Sequence, residues 1–314
     1  MYNPTFTPAN HWAAVLAGGD GTRLQLFTEE LFGDRRPKQF CRLLSQHTLL
    51  AATRMRLAGP IAPQRTLCVV TRHHEAFYRD ECANMAAPLL VEQPTNRGTA
   101  VAIVYALSRI ARVDHNAVIG FFPSDHHYDN EFAFQQAVTG AYALAACDPA
   151  RVVLVGAKAD RAETEYGWIA RGKELGMLHV TRGHGVHAVD SFHEKPDSVQ
   201  AAELLRGHAL WNTFVMVGHI RAFIDLLTTS APLLRSTFEW LRRAPTVDAD
   251  RLEAEALYAT LPAVDFSKEV LSPSASRLSV MTLADAGWTD LGQAARVRAV
   301  LGRRDDHQVG LAAS

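Results

Sequence analysis

The feature that most constrains this chain is an alternation of short apolar runs with longer stretches of helical period. Trp12 to Ala17, Thr66 to Thr71, Leu89 to Glu92, Ala117 to Phe122 and Val152 to Ala157 are each short and bounded by turn residues. Each is mostly apolar on both alternations, as a strand covered on both faces should be. Between them, His47 to Leu57, Glu75 to Ala86, Thr99 to Arg112 and Asn130 to Cys147 carry helical spacing. The alternation predicts an α/β fold, a Rossmann-like and mostly parallel sheet flanked by helices, with right-handed crossovers. After about Lys158 the rhythm changes. Tyr166 to Arg171 and Val186 to His193 read as strands joined through a Gly-rich stretch, and Leu278 to Leu283 as another. Ser198 to Arg206, Ile220 to Thr229 and Ala254 to Thr260 read as helices. This half is expected to extend the same sheet and build a substrate-binding lobe on it. No clean linker is visible. The expectation is one domain over 1–314, with a first half 1–158 and a second half 159–314.

Charge narrows the ligand class. Lys and Arg number 32 against 33 Asp and Glu, a formal net charge of -1. Such a balance offers no global basic field for nucleic acid or anionic lipid, so an anionic ligand must find positive charge gathered locally. No apolar run of about 18 residues predicts a membrane span. Cys41, Cys68, Cys82 and Cys147 lack CxxC spacing and fit neither a zinc ribbon nor a disulfide scaffold. The opening MYNPTFTPANHW lacks a basic segment followed by an apolar core, so no secretory signal is expected and a cytoplasmic setting is the default. The adjacent pairs His73-His74 and His126-His127, read as strand neighbours, should point apart. With no HExxH, they read as ordinary histidines. No GxSxG elbow marks a serine hydrolase.

Local chemistry gathers in five places. LAGGDGTRL, Leu16 to Leu24, follows the first strand. Gly18, Gly19 and Gly21 permit unusual backbone conformations and close approach of a phosphate to main-chain N–H groups. Arg23 adds a charge-assisted contact. The segment lacks the Gly-Lys-Ser/Thr of a P-loop and the third glycine of a dinucleotide fingerprint. RRPKQF, Arg35 to Phe40, holds Lys38 on an extended Pro37, from where it could reach back to the glycine loop; taken alone, such a segment is more often a solvated loop. Asp125, in FFPSDHHYDN, sits just past an apolar strand, at the sheet edge where ligands bind. It suits Mg²⁺, although Asp also caps helices. Asp290, in GWTDLGQ, is a second carboxylate among turn residues. In FHEKP, alternation places Glu194 and Lys195 on opposite faces; the one could accept from sugar hydroxyls and the other contact a phosphate, or both could be an exposed charged strand end.

Taken in order, these segments resemble the sugar-phosphate nucleotidyltransferases, nearest the mannose-1-phosphate guanylyltransferase branch. The family's LAGG-x-GTRL is met by Leu16 to Leu24 and its PKQF by Pro37 to Phe40. Its base-contacting segment, about EP-x-x-RNTA, is here QPTNRGTA, Gln93 to Ala100. PSDH is Pro123 to His126, Tyr-Gly-aromatic-Ile is Tyr166 to Ile169, and Phe-x-Glu-Lys-Pro is Phe192 to Pro196. WNSG becomes WNTF, Trp211 to Phe214; Ser-Ile-Asp-Tyr becomes Ala263 to Phe266; Trp-Ser-Asp-Val-Gly becomes Trp288 to Gly292.

The resemblance implies the nucleotide-diphospho-sugar transferase fold with an inserted sugar-binding lobe. The first half would bind nucleotide, and the second half would bind sugar and supply the last metal ligand. It implies Arg23 and Lys38 on the nucleotide phosphates and departing pyrophosphate, and Asp125 and Asp290 on Mg²⁺. Lys195 would bind the sugar phosphate, with Glu194 and Asn212 on sugar hydroxyls, Gly167 beside the sugar and Asp265 on the sugar or metal side. Leu16, Ala17, Gly18, Gly19, Gly21, Thr22, Gln93, Arg97, Gly98 and Thr99 would hold the nucleotide. The expected partners are GTP and mannose 1-phosphate, with a homodimer compatible and neither nucleic acid nor membrane involved. Gln93 and Gly98 stand where the branch has Glu and Asn, and Thr213 and Phe214 where it has Ser and Gly. These departures leave other bases and sugars open. A catalytically silent sugar-nucleotide sensor is the rival of another class; a sensor has less need of Arg23 and Lys38. The segment between Arg23 and Lys38 is longer than usual and carries Glu29, Glu30 and Asp34, as surface variation or as a lid. Only 22 residues follow Gly292, so no appended β-helix or cupin-type domain is expected within this sequence.

Overall fold

The computed structural model describes residues 10–176 and 184–312. The opening segment 1–9 and residues 177–183 of the Gly-rich stretch lie outside them. The first half runs β1 (His11–Leu16), α1 (Gln25–Phe32), α2 (Leu49–Leu57), β2 (Thr66–Thr71), α3 (Glu75–Cys82), β3 (Leu90–Gln93), α4 (Gly98–Val113), β4 (Val118–Pro123), β5 (His127–Tyr128), α5 (Glu131–Cys147) and β6 (Val152–Lys158). The second half adds β7 (Gly167–Glu174), β8 (Val186–Glu194), α6 (Ser198–Arg206), β9 (Leu210–His219), α7 (Ile220–Ser230), α8 (Pro232–Arg242), α9 (Val247–Thr260), β10 (Leu278–Leu283), β11 (Trp288–Thr289) and α10 (Ala294–Ala312).

Nine strands form one sheet in the order β3-β2-β1-β4-β9-β6-β10-β8-β7. β3, β2, β1 and β4 are parallel neighbours, as are β6 and β10. β9 and β8 run against the others. Alternation along the strands feeds two apolar layers. Ala14, Leu67 and Val69 face α4 and the α7–α9 helices, through Val101, Phe223, Phe238 and Tyr258. Ala13, Val15, Cys68 and Val70 face α2, α3 and α5, through Leu50, Tyr78 and Phe134. Burial on both faces explains why these strands are apolar at successive positions. Among the described residues no helix is long and apolar enough to cross a membrane.

Several elements differ from the expectation. β9 comes from the second half, yet it lies between β4 and β6 and bonds to both. Its signal is masked by a bulge: Gly156 pairs with Asn212 while Val155 pairs with Val215, so Thr213 and Phe214 have no partners on β6. Phe214 takes φ 58°, and Asn212 Oδ1 accepts from its N–H at 3.0 Å. The segment after Arg23 is not a bare loop. It is helix α1, ended by Gly33 at φ 78°, and Leu24 and Phe27 share an apolar cluster with Leu291 and Val297. α9 begins seven residues earlier than its apolar stretch suggests, behind the cap Thr246, whose side chain accepts from Ala249 N–H.

Candidate active site

Leu16, Gln93 and Pro123 are the last residues of β1, β3 and β4, and all three line one cleft of about 660 Å³. The cleft therefore opens at the carboxyl edge of the parallel strands, where main-chain groups are left unpaired by the ladder. It is also lined by Gly18, Gly19, Arg23, Asp125, Gly167, Glu194, Lys195, Asn212, Asp265 and Asp290. Residues separated by more than 270 positions thus meet at one wall.

Glycine-loop geometry follows from its neighbours. A Cβ on Gly18 would lie 2.4 Å from Gln93 Nε2 and 2.8 Å from Thr71 Oγ1. Gly18 is therefore needed for Gln93 to pack across the loop. Gly21 has φ 61°, which a side-chain-bearing residue adopts at a cost. Gln39, not Lys38, reaches back to the loop: its Nε2 donates to the Ala17 and Gly19 carbonyls at 3.0 and 2.7 Å. Ala17 is fully buried, and Gly21 and Thr22 turn the chain behind the lining residues.

Beside α4, Gln93 is buried and its Oε1 accepts from Tyr258 O–H at 3.1 Å. Gly98 has φ 81°, and a Cβ there would meet the Val264 carbonyl oxygen at 2.4 Å. Glycine lets the strap before Phe266 dock on α4, where Ala100 N–H donates to Val264 at 3.1 Å and Phe266 N–H to Thr99 Oγ1 at 3.0 Å. The usual Asn would not fit without moving that strap. Arg97 does not line the cleft; its Nε donates to the Tyr258 carbonyl at 2.9 Å, so it braces α9.

The two acidic residues sit around Lys38. Lys38 Nζ stands 3.3 Å from Asp125 Oδ2 and donates to the Asp290 carbonyl oxygen. Asp125 is not a helix cap, because Asn130 caps α5. His126 accepts from Trp288 Nε1–H through Nδ1 at 3.1 Å, which leaves its Nε2 facing Asp125 Oδ1 at 3.9 Å. Burial holds His126 down to about 4, so it is neutral at physiological pH. Asp290 Oδ1 accepts from Arg296 at 2.6 Å, Gly292 N–H at 2.8 Å and Tyr166 O–H at 3.2 Å. Burial alone would raise Asp290. The positive charges of Lys38 and Arg296 and the Gly292 N–H outweigh it and hold the carboxyl at about 2. A Cβ on Gly292 would meet Asp290 Oδ2 at 2.5 Å, so glycine makes room for the carboxylate. That Oδ2 has Arg23 at 4.0 Å, and Arg23 itself pairs with Glu165 at 2.9 Å.

Among the described residues, Asp125 Oδ1 and Asp290 Oδ2 thus remain without short hydrogen bonds, as hard oxygen donors beside one cleft. This donor set fits Mg²⁺, which takes one or two carboxylates and completes its shell with phosphate oxygens and water. Arg296 is a site residue that the sequence reading misses. Its one signal along the chain is a cation in the first turn of a helix, against the dipole, which calls for a carboxylate nearby.

At the end of β8, Lys195 leaves the strand at φ 48°. This left-handed residue breaks the alternation, and Glu194 and Lys195 line the same cleft rather than opposite faces. A Cβ on Gly167 would lie 2.8 Å from Glu194 Oε2 and 3.2 Å from Asn212 Cβ, so glycine seats both side chains. Tyr166 and Trp288 line the cleft and pack with the buried Trp211, with ring centroids 4.9 to 6.3 Å apart. Burial first, and the Asp265 carboxylate second, push Glu194 up to about 7 against the pull of Lys195. The folded chain keeps a proton there that the unfolded chain releases above about 4.5, so this group makes stability fall as pH rises from about 4.5 to about 7. Glu194→Gln should flatten that part of the melting-temperature profile; an unchanged profile would show that the carboxyl titrates normally.

The family described as nucleotidyl transferase matches residues 12–300. The chain is 31% identical over 283 residues to the xanthan biosynthesis protein XanB of Xanthomonas campestris pv. campestris, covering 88% of this chain and 56% of that protein. It is 29% identical over 290 residues to mannose-1-phosphate guanylyltransferase 2 of Escherichia coli O157:H7, covering 89% of this chain and 58% of that protein. The chain spans about half the length of the curated relatives it matches. Among solved structures, one described as mannose-1-phosphate geranyltransferase from Thermus thermophilus superposes with TM-score 0.76 at 29% identity, over 90% of this chain and 76% of that one.

Proposed function

The chain belongs to the nucleotidyl transferase family, and from that premise we propose that it joins a sugar 1-phosphate to a nucleoside triphosphate. The products are a nucleoside diphosphate sugar and pyrophosphate, with mannose 1-phosphate and GTP as the substrates. The observation that carries the reading is the meeting of Arg23, Asp125, Lys195 and Asp290 on the lining of one cleft, with Lys38 held against Asp125 and the Asp290 carbonyl. The choice of mannose and guanine rests on the names of the relatives and the order of the motifs.

A phosphate monoester with second pKa of about 6 is mostly dianionic at neutral pH, so the nucleophile needs no general base. One of its oxygens attacks the α-phosphorus, and the bond to the bridging oxygen of the β-phosphate breaks. The obstacle is repulsion between two polyanions, which positioning and fixed positive charge overcome. Lys195 holds the sugar phosphate while Glu194 and Asn212 meet sugar hydroxyls. Gln93 and the wall from Gly98 to Thr99 hold the base. Arg23 exchanges Glu165 for the triphosphate, and Lys38 lies between the Asp125 carboxylate and the Asp290 carbonyl oxygen, next to where charge builds on the leaving group. Mg²⁺ held by Asp125 and Asp290 would supply charge neutralisation at the phosphate oxygens.

A panel of four nucleoside triphosphates against mannose, glucose and fucose 1-phosphates, read by pyrophosphate release, tests the reading. Release only with GTP and mannose 1-phosphate is expected; no release with any pair would overturn the reaction. Lys195→Ala should raise KM for the sugar phosphate about 10-fold or more, the worth of one charged hydrogen bond, with a smaller change in kcat. An unchanged KM would remove Lys195 from that role.

A further inference from the structure

We propose that Asp20, His73 and His74 form a binding site for a divalent transition-metal ion, Zn²⁺ above all, that ties the glycine loop to the turn after β2. Asp20 lies between Gly19 and Gly21. His73 and His74 occupy a single 3-10 turn, Arg72–His74, rather than a strand, so the two rings do not point apart. His73 Nε2 stands 2.9 Å and His74 Nε2 3.3 Å from the same oxygen, Asp20 Oδ1. All three donor atoms lie within 4.8 Å of one another. A tetrahedral zinc with bonds of about 2.0–2.1 Å separates its ligand atoms by about 3.4 Å, so small shifts complete the set.

The environment favours ligation. Asn96 Nδ2 donates to Asp20 Oδ2 at 2.9 Å, which fixes the carboxylate and turns Oδ1 toward the histidines. His74 is 4% exposed, and its Nδ1 is buried without a partner, so its polar contact is made through Nε2. Burial and the neighbouring His73 hold His74 down to about 4, which leaves a neutral ring able to offer a lone pair at physiological pH. Two imidazoles and one carboxylate select a borderline ion, whereas the all-oxygen pair Asp125 and Asp290 selects Mg²⁺. His73 is 54% exposed, so the ion has a path and a fourth position for water. The unsupported Nδ1–H that ligation would leave on His74 makes this an exchangeable site rather than a structural one.

The consequence reaches the cleft. Gly19 and Asn96 both line it, and both are tied to Asp20 by chain or hydrogen bond. An ion on Asp20 would therefore hold the glycine loop, the turn after β2 and the loop before α4 as one unit.

The test is a titration of the full chain with Co²⁺ in excess Mg²⁺, read by the visible d–d absorption of cobalt. One equivalent of bound Co²⁺ is expected, and Zn²⁺ should displace it. Loss of a supporting group alone costs about 10–100-fold in metal affinity, so His73→Ala should weaken binding at least about 100-fold. Because His73 is exposed, this variant should fold, and Asp20→Asn supplies a second one that keeps side-chain volume. Asp125→Ala should keep the Co²⁺ signal. Absence of one-equivalent binding, unchanged binding in His73→Ala and Asp20→Asn, or loss of the signal only in Asp125→Ala would each overturn the proposal.

Discussion

Asp125→Ala is expected to lower turnover by about 10³-fold while leaving the melting temperature within about 2 °C, because it removes a transition-state charge partner and no packing. Asp125 sits just past the carboxyl end of β4 and is not a helix cap. Its carboxylate faces Lys38 at 3.3 Å. Without it Lys38 keeps the Asp290 carbonyl, so the fold has little reason to change. In the proposed reaction the chemistry would lose more: one of two hard donors beside the phosphates would be gone, and pyrophosphate would depart with less charge compensation. Raising Mg²⁺ should recover little, because affinity and orientation fall together. The measurement is pyrophosphate release at saturating substrates, with thermal melting of the same sample. Near-normal release would withdraw Asp125 from the metal and leave Asp290 to be tested alone.

The second large effect is on stability. Asp250 is fully buried in α9 and bonds to Arg109 of α4, with Arg112 at 3.3 Å. Asp250→Ala should cost about 3–5 kcal/mol, because it leaves buried guanidinium charge without its partner. That is a large share of the roughly 5–15 kcal/mol of a typical domain, so the urea midpoint should fall clearly. The exposed pair Glu75–Arg79 makes the contrast: its loss should cost about 0.5 kcal/mol or less. The cost should also reach the cleft. Tyr258, two turns further along α9, holds Gln93, and its carbonyl holds Arg97. KM for the nucleotide should therefore rise in Asp250→Ala even at temperatures where the chain is folded. A midpoint shift below about 1 kcal/mol would mean the arginines reach water when the aspartate is removed.

Much of this is legible in the order of residues. Thr66–Thr71 and Leu278–Leu283 are bounded to the residue, because buried strands between turn residues leave a sharp apolar run. Asp125 stands out by its place after an apolar strand, whereas the glycine loop, Lys195 and Asp290 are weak signals singly and gain weight only from the order of the motifs. What is hidden has physical reasons. β9 is obscured because its bulge at Thr213 and Phe214 interrupts the alternation. Alternation assigns Glu194 and Lys195 to opposite faces, but it holds only while φ stays extended, and Lys195 leaves it. The pair His73-His74 reads as strand neighbours, and the 3-10 turn that aims both at Asp20 has no periodic signal of its own.

By itself the amino-acid order determined the layered α/β architecture and the types of group available for phosphate and metal, since both are local properties of spacing and residue chemistry. Tertiary structure alone decided which of those groups meet. Lys38 lies between the Asp125 carboxylate and the Asp290 carbonyl instead of at the glycine loop, Arg97 braces α9, and Arg296 clamps Asp290. Most of these depend on contacts between segments dozens to hundreds of residues apart, and such contacts are set by packing across the sheet, which leaves no pattern along the chain.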